Sequence, residues 1–174
     1  AQAGFRQYEI SNWARERGGK ILACQHNLQY WQNLPYLGLG AGAHGYLAGH
    51  RTINVAAIPA YIERCRVMPV GAAFPVGPAT IQAQPIDWWT EIQETMMTGL
   101  RLTAEGVPAA AFDARFGISL ERVFGGDIDR LIQQGLLEWA RAPRALRLTQ
   151  RGRLLGNAVF RQFVGREKPA DLGI

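Results

Sequence analysis

The stretch between residues 69 and 85 limits the fold most. It reads Pro69-Val70-Gly71-Ala72-Ala73-Phe74-Pro75-Val76-Gly77-Pro78-Ala79, with Pro85 a little further on. Proline fixes φ and lacks an amide donor, and glycine adds backbone freedom, so this density sustains neither a helix nor a central strand. Residues 69–85 are therefore expected to form a linker or an extended crossing. They separate residues 1–68, rich in glycine and aromatics, from residues 86–174, which read as helices with one hairpin. A chain of 174 residues, 48% of them hydrophobic, holds one domain or two small ones with a real core. No run of about 18 apolar residues is present to span a bilayer, and no basic-then-apolar leader opens the sequence. Residue 1 is Ala and a strand-like pattern begins almost at once, so a piece of a longer protein is expected.

Local patterns fill in both parts. Residues 4–10 read as a strand, Arg6, Tyr8 and Ile10 alternating with Phe5, Gln7 and Glu9. Residues 26–33 form a short aromatic segment of helical character. Tyr36-Leu37-Gly38-Leu39 reads as a brief strand, Arg51–Val55 as another, and Ile58–Met68 as a helix. In the second part Asp87 suits the N-cap of a helix with Trp88, Ile92, Met96 and Leu100 at helical spacing. A second helix starts around Pro108 and ends near Gly117, and a third covers residues 128–134 before Gly135. Residues 136–139 and 145–148 flank an Arg-Ala-Pro-Arg turn as a hairpin. Thr149 caps a last helix through Leu155, Val159 and Phe163. Helix, helix, helix, hairpin, helix is winged-helix order.

The densest chemistry lies in Cys24-Gln25-His26-Asn27-Leu28-Gln29-Tyr30-Trp31. An imidazole, an amide and a Tyr-Trp pair one turn later supply a metal ligand, a polar anchor and flat apolar plates, the parts of a haem pocket. A helix whose aromatics simply pack inward is the alternative. Tyr8-Glu9 places a carboxylate at a strand end, either in a cavity or in a solvated ion pair. Gly40-Ala41-Gly42-Ala43-His44-Gly45 matches G-x-G-x-x-G, yet no long helix opens after it, so the dinucleotide reading fails on context. Its glycines still permit close backbone approach. His44 and His50 lack acidic or cysteine partners at useful spacing, which favours structural hydrogen bonding.

Charge and cysteines narrow the partners. Nineteen Lys+Arg against 14 Asp+Glu give a net charge of +5, almost all of it arginine, which suits nucleic acid, phosphates or porphyrin propionates. DNA binding is disfavoured: the third helix offers Asp127 and Asp129 against Arg130, although Arg141, Arg144, Arg147, Arg151 and Arg153 cluster near the hairpin. Two cysteines, Cys24 and Cys65, form no disulfide framework and fit a reducing, cytoplasmic setting. They are also too few for an iron–sulfur cluster.

Taken in order, the motifs resemble the C-terminal part of the oxygen-independent coproporphyrinogen III oxidase-like radical SAM family. The pieces are Tyr8-Glu9-Ile10-Ser11-Asn12-Trp13-Ala14, His26-Asn27-Leu28-Gln29-Tyr30-Trp31, residues 36–45, Arg51-Thr52-Ile53-Asn54, Met96-Met97-Thr98-Gly99-Leu100-Arg101 and Leu148-Thr149-Gln150-Arg151-Gly152. The His-Asn-x-x-Tyr-Trp motif marks its haem chaperone branch. That resemblance implies haem contacts from His26, Asn27, Tyr30 and Trp31, with His26 as iron ligand. It implies a substrate side at Tyr8 and Glu9, and approach of Gly40, Gly42 and Ala43 to S-adenosylmethionine or substrate. It also implies a 4Fe–4S cluster and S-adenosylmethionine in the full-length protein, but the Cys-x-x-x-Cys-x-x-Cys ligands of that cluster are absent here. The chain alone is expected to be inactive.

The expected fold is α+β: residues 1–68 as C-terminal strands of a radical SAM partial (β/α) barrel, then residues 86–174 as a helical, winged-helix-like domain. The expected partners are haem or a porphyrinogen, the missing N-terminal half of the barrel, and in its absence a second copy of this chain meeting an exposed sheet edge or a poorly ordered N-terminal region. Oxidative decarboxylation of porphyrinogen propionates is the alternative to haem binding and delivery.

Overall fold

The computed structural model describes residues 3–67 and 73–172. These form two compact units, one from residues 1–33 together with 88–174, the other from residues 34–87. Chain organisation thus differs from the expected cut at residues 69–85, because the first unit draws on both ends of the sequence.

The first unit begins with an antiparallel meander of β1 (Phe5–Glu9), β2 (Asn12–Arg17) and β3 (Lys20–Ile21). Only β1 was anticipated. The β1–β2 register is regular from Phe5↔Arg15 to Gln7↔Trp13 and shifts between Gln7 and Glu9. A strict strand sends neighbours to opposite faces, yet Tyr8 and Glu9 are both buried. The irregularity supplies the reason, since a bulge re-aims side chains. Helix α1 (Gln25–Trp31) follows.

The second unit holds β4 (His44–Leu47), β5 (His50–Asn54), α2 (Ile58–Arg66) and β6 (Thr80–Pro85), with sheet order β4-β5-β6. Here the linker expectation needs correcting: Thr80–Pro85 is a strand paired with β5, Pro85 lying opposite His50. Proline is tolerated because β6 is an edge strand and Pro85 its last residue. Residues 69–72 of the expected linker, and Met68 at the expected end of α2, lie outside the described residues. Tyr36-Leu37-Gly38-Leu39 forms no strand; it makes one bridge, Tyr36↔Tyr46, while Leu37 and Leu39 stay exposed.

The rest of the first unit contains α3 (Trp88–Gly99), β7 (Val107–Pro108), α4 (Ala109–Phe116), α5 (Leu120–Gln133), β8 (Leu137–Arg141), β9 (Arg144–Leu148), α6 (Gln150–Leu154) and α7 (Gly156–Phe160). Its core gathers Ile92 and Met96 of α3 and Leu100 just beyond it with Phe112, Phe124, Leu146 and Phe163. Helix α5 opens eight residues before the expected Ile128, its start capped by the Ser119 hydroxyl accepting from the Arg122 amide. Gly125 and Gly126 do not break it, because Phe124, Ile128 and Leu131 are all buried and tertiary packing outweighs local propensity. Thr149 caps α6 as expected, accepting from the Gly152 amide at 2.9 Å, but the final helix divides at Leu155. The sheet order β7-β9-β8 brings Val107 beside Leu146. Gly106, at φ +61, permits that pairing; a Cβ there would collide with the Leu146 carbonyl oxygen.

The fold is α+β with small antiparallel sheets. Among the described residues no helix is long and apolar enough to cross a membrane.

Candidate functional site

Glu9 is 0% exposed. Burying a carboxylate is costly unless hydrogen bonds and a counter-charge replace its water. Both are present: Oε2 accepts from the Ser11 amide at 2.9 Å and Asn12 Nδ2 at 2.6 Å, while Oε1 accepts from Arg101 Nε at 2.7 Å and Nη2 at 2.5 Å. Arg101 follows the end of α3, where the chain runs beside β1. Ile10 donates its amide to the Arg101 carbonyl at 3.2 Å, and Thr103 donates its amide to the Tyr8 carbonyl at 3.1 Å. The Thr103 hydroxyl adds a bond to the Gln7 carbonyl at 2.8 Å.

The Arg101 guanidinium also lies over the Trp31 ring, 4.5 Å from its centroid, and 5.9 Å from that of Phe160. Such contacts favour a flat, weakly hydrated cation. They tie α1 to the buried ion pair. Helix α1 needs this tether, since its seven residues include no fully buried side chain and no side-chain cap closes its start. Further ties come from Asn27 Nδ2, donating to the Tyr8 hydroxyl at 3.3 Å, and from Asn33 just beyond the helix. Asn33 donates to the Thr95 hydroxyl at 3.0 Å, while its carbonyl accepts from Arg115 Nη2 at 2.7 Å.

The structure therefore joins Tyr8, Glu9, Asn27 and Trp31 in one cluster organised by Arg101. His26 and Tyr30 sit one turn apart on the same helix, rings edge-on at 4.8 Å. His26 is exposed, and its ring nitrogens make no hydrogen bond among the described residues. An accessible imidazole beside an aromatic ring has the donor chemistry of a haem iron ligand. Trp31 Nε1 is buried with no partner among the described residues, a donor of the kind a polar ligand group satisfies. Arg101 was not among the expected site residues. Its signal was a lone arginine directly after the apolar stripe of α3.

Gly40, Gly42 and Ala43 belong to the second unit, where their loop is held by its own polar groups. The Gly40 amide donates to the Tyr61 hydroxyl at 3.1 Å, the Gly42 amide to the Val55 carbonyl at 2.9 Å and the Ala43 amide to the Gly40 carbonyl at 3.3 Å. Asn54 Nδ2 bridges the carbonyls of Gly38 at 3.0 Å and Gly40 at 3.1 Å. Two glycines of this loop answer to sterics: a Cβ on Gly38 would collide with the His44 carbonyl, and one on Gly45 would lie 2.7 Å from Thr52 Oγ1. His50 makes the expected structural bond, its Nδ1 2.9 Å from the Ala48 carbonyl oxygen.

An iron–sulfur cluster does not fit this chain. Cys24 and Cys65 are exposed free thiols in different units, and among the described residues no three His, Cys, Asp or Glu side chains gather.

Comparison with known proteins follows the same lines. Residues 86–155 match the family model of the HemN C-terminal domain. The haem chaperone HemW of Bacillus subtilis (strain 168) is 38% identical over 162 residues, 93% of this chain and 39% of the relative. The chain is thus similar over nearly its whole length to a portion of this HemW protein, and its residues 86–155 to the HemN C-terminal domain. HemW of Lactococcus lactis subsp. lactis is 35% identical over 94% of the chain and 39% of its own length. A bovine protein, radical S-adenosyl methionine domain-containing protein 1, mitochondrial, is 38% identical over 56% of this chain and 16% of its own. Among solved structures, the radical SAM enzyme coproporphyrinogen III oxidase (HemN) of Escherichia coli superposes with a TM-score of 0.60 at 14% identity, over 93% of this chain and 37% of that one. At that identity the likeness shows the fold alone. The chain thus spans about two fifths of the length of these two HemW relatives.

Proposed function

We propose that this chain carries the haem-binding part of a HemN-like protein that binds and delivers haem, with His26 as the iron ligand. The observation that carries the reading is an accessible imidazole on a short helix whose next turn is anchored from beneath. Asn27 is held by Tyr8, and Trp31 is held by the Arg101–Glu9 pair. Tyr30 stands beside the imidazole as an aromatic wall. Similarity to HemW proteins over 93–94% of the chain supports it.

Several finer assignments belong to the same reading. Haem would supply an iron with an open coordination position, and this chain's part is to hold and orient it. A 4Fe–4S cluster and S-adenosylmethionine belong to the full-length protein, the cluster on thiolates outside this chain; Gly40, Gly42 and Ala43 approach S-adenosylmethionine. Residues 1–68 derive from the end of a partial barrel, and residues 86–174 from a winged-helix-like domain. Exposed Phe5, Trp13 and Leu22 on the β1–β2 side of the chain support coverage by the N-terminal half of the barrel, or by a second copy. Ion pairs Arg144–Glu121 and Arg147–Glu138 neutralise much of the hairpin's charge and weigh against DNA.

Haem titration tests the reading. Wild-type chain should give a saturable Soret shift that His26→Ala weakens at least tenfold, with unchanged far-UV circular dichroism. Equal binding by both proteins removes His26 as ligand. Porphyrinogen turnover by the full-length protein, with no stable haem complex, overturns haem delivery in favour of decarboxylation.

A further inference from the structure

A concave pocket of about 510 Å³ lies within the first unit, where Ile10, Arg101, Arg153 and Arg161 meet Leu154 and Leu155. Its size falls in the range of small-molecule sites. The three arginines are not equivalent. Arg101 is already neutralised by Glu9. Arg153 meets only neutral acceptors, the Gln7 amide oxygen at 3.4 Å and the Thr103 carbonyl at 3.0 Å, and its Nε is buried with no partner. The exposed Arg161 guanidinium makes no ion pair among the described residues.

Two cations without carboxylates therefore share one wall with apolar side chains, of which Leu154 is 85% and Leu155 45% exposed. A buried guanidinium donor left unmatched is costly, and a fork of N–H groups is matched best by a carboxylate or phosphate oxyanion. Exposed leucines at the same rim are matched by an apolar body. Inorganic anions satisfy only the first half of this arrangement, and apolar molecules only the second.

We propose that this pocket binds the oxyanion groups of an amphiphilic ligand, with Arg153 and Arg161 as its anion ligands and Leu154 and Leu155 against its apolar body. The choice of a porphyrin dicarboxylate as that ligand rests on the haem reading above; the anion site itself does not.

The test uses metal-free protoporphyrin IX, which offers His26 no iron, and its dimethyl ester, which offers the arginines no charge. Binding is followed by porphyrin fluorescence anisotropy. Arg161→Gln, at a position with no protein partner to lose, should weaken free-acid binding on the order of tenfold, as should Arg153→Gln. Arg151→Gln, which removes the same charge from an exposed site outside the pocket, should match wild type. The ester should bind weakly to every variant. The proposal is overturned if the ester binds wild type as tightly as the acid, if Arg151→Gln is as damaging as Arg161→Gln, or if both pocket variants bind like wild type. His26→Ala separates the two readings: loss of the haem Soret shift with intact protoporphyrin binding leaves the pocket standing, and an unaffected Soret shift fails the iron-ligand reading alone.

Discussion

Replacing Arg101 by Gln probes the centre of the candidate site. The substitution removes both guanidinium donors from Glu9 Oε1 and leaves the Ser11 amide and Asn12 side chain on Oε2. A carboxylate that is 0% exposed then lacks its counter-charge. Breaking a buried pair in this way costs about 3–5 kcal/mol. Glu9→Gln is the milder change, about 1–3 kcal/mol, because Arg101 retains 24% exposure through which water can reach the orphaned cation. The double variant should therefore be less destabilised than the sum of the singles, by about 1–3 kcal/mol. All five tryptophans, Trp13, Trp31, Trp88, Trp89 and Trp139, lie in the first unit, so tryptophan fluorescence during urea unfolding reports that unit alone. On heating, Arg101→Gln should lower Tm by roughly 6–20 °C, at about 2–4 °C per kcal/mol for a chain of this size. Loss of under about 1 kcal/mol in Arg101→Gln, or strict additivity in the double variant, would refute the coupling.

Other outcomes test separate parts of the structure. Gly106→Ala should cost at least about 1–2 kcal/mol from its positive φ alone, with more from the collision at Leu146, so a neutral urea midpoint contradicts the β7–β9 geometry. Asn54→Ala removes two hydrogen bonds from the glycine loop and should cost about 1–3 kcal/mol locally, read as faster amide exchange across residues 38–45. Unchanged protection there would show that the loop holds without it. Thr149→Ala should cost about 1 kcal/mol by loss of the α6 cap. Native maleimide labelling should modify both Cys24 and Cys65 without denaturant, and a protected thiol would contradict their exposure.

The sequence revealed what depends on periodicity. The stripe Ile92, Met96 reads directly as one face of α3, continued by Leu100 just past its end, and the hairpin around residues 142–143 is bracketed by strands. What escaped depends on tertiary pairing. Thr80–Pro85 carries proline and glycine neighbours that argue against a strand, and only its edge position beside β5 rescues it. Residues 120–127 were invisible as helix because Gly125 and Gly126 mask the burial of Phe124. At the site, motif order located Glu9, Asn27 and Trp31 one by one. It could not locate Arg101 among them, since that arginine meets Glu9 across 92 positions of chain.

That separation bears on how the protein is made. At synthesis rates of about 5–20 residues per second, Arg101 leaves the ribosome roughly 5–20 s after Glu9. Throughout that interval Glu9 lacks its native partner, and the second unit is synthesised between the two halves of the first. The ion pair is thus a late closure, which can form only after the first helix of the C-terminal region has been synthesised.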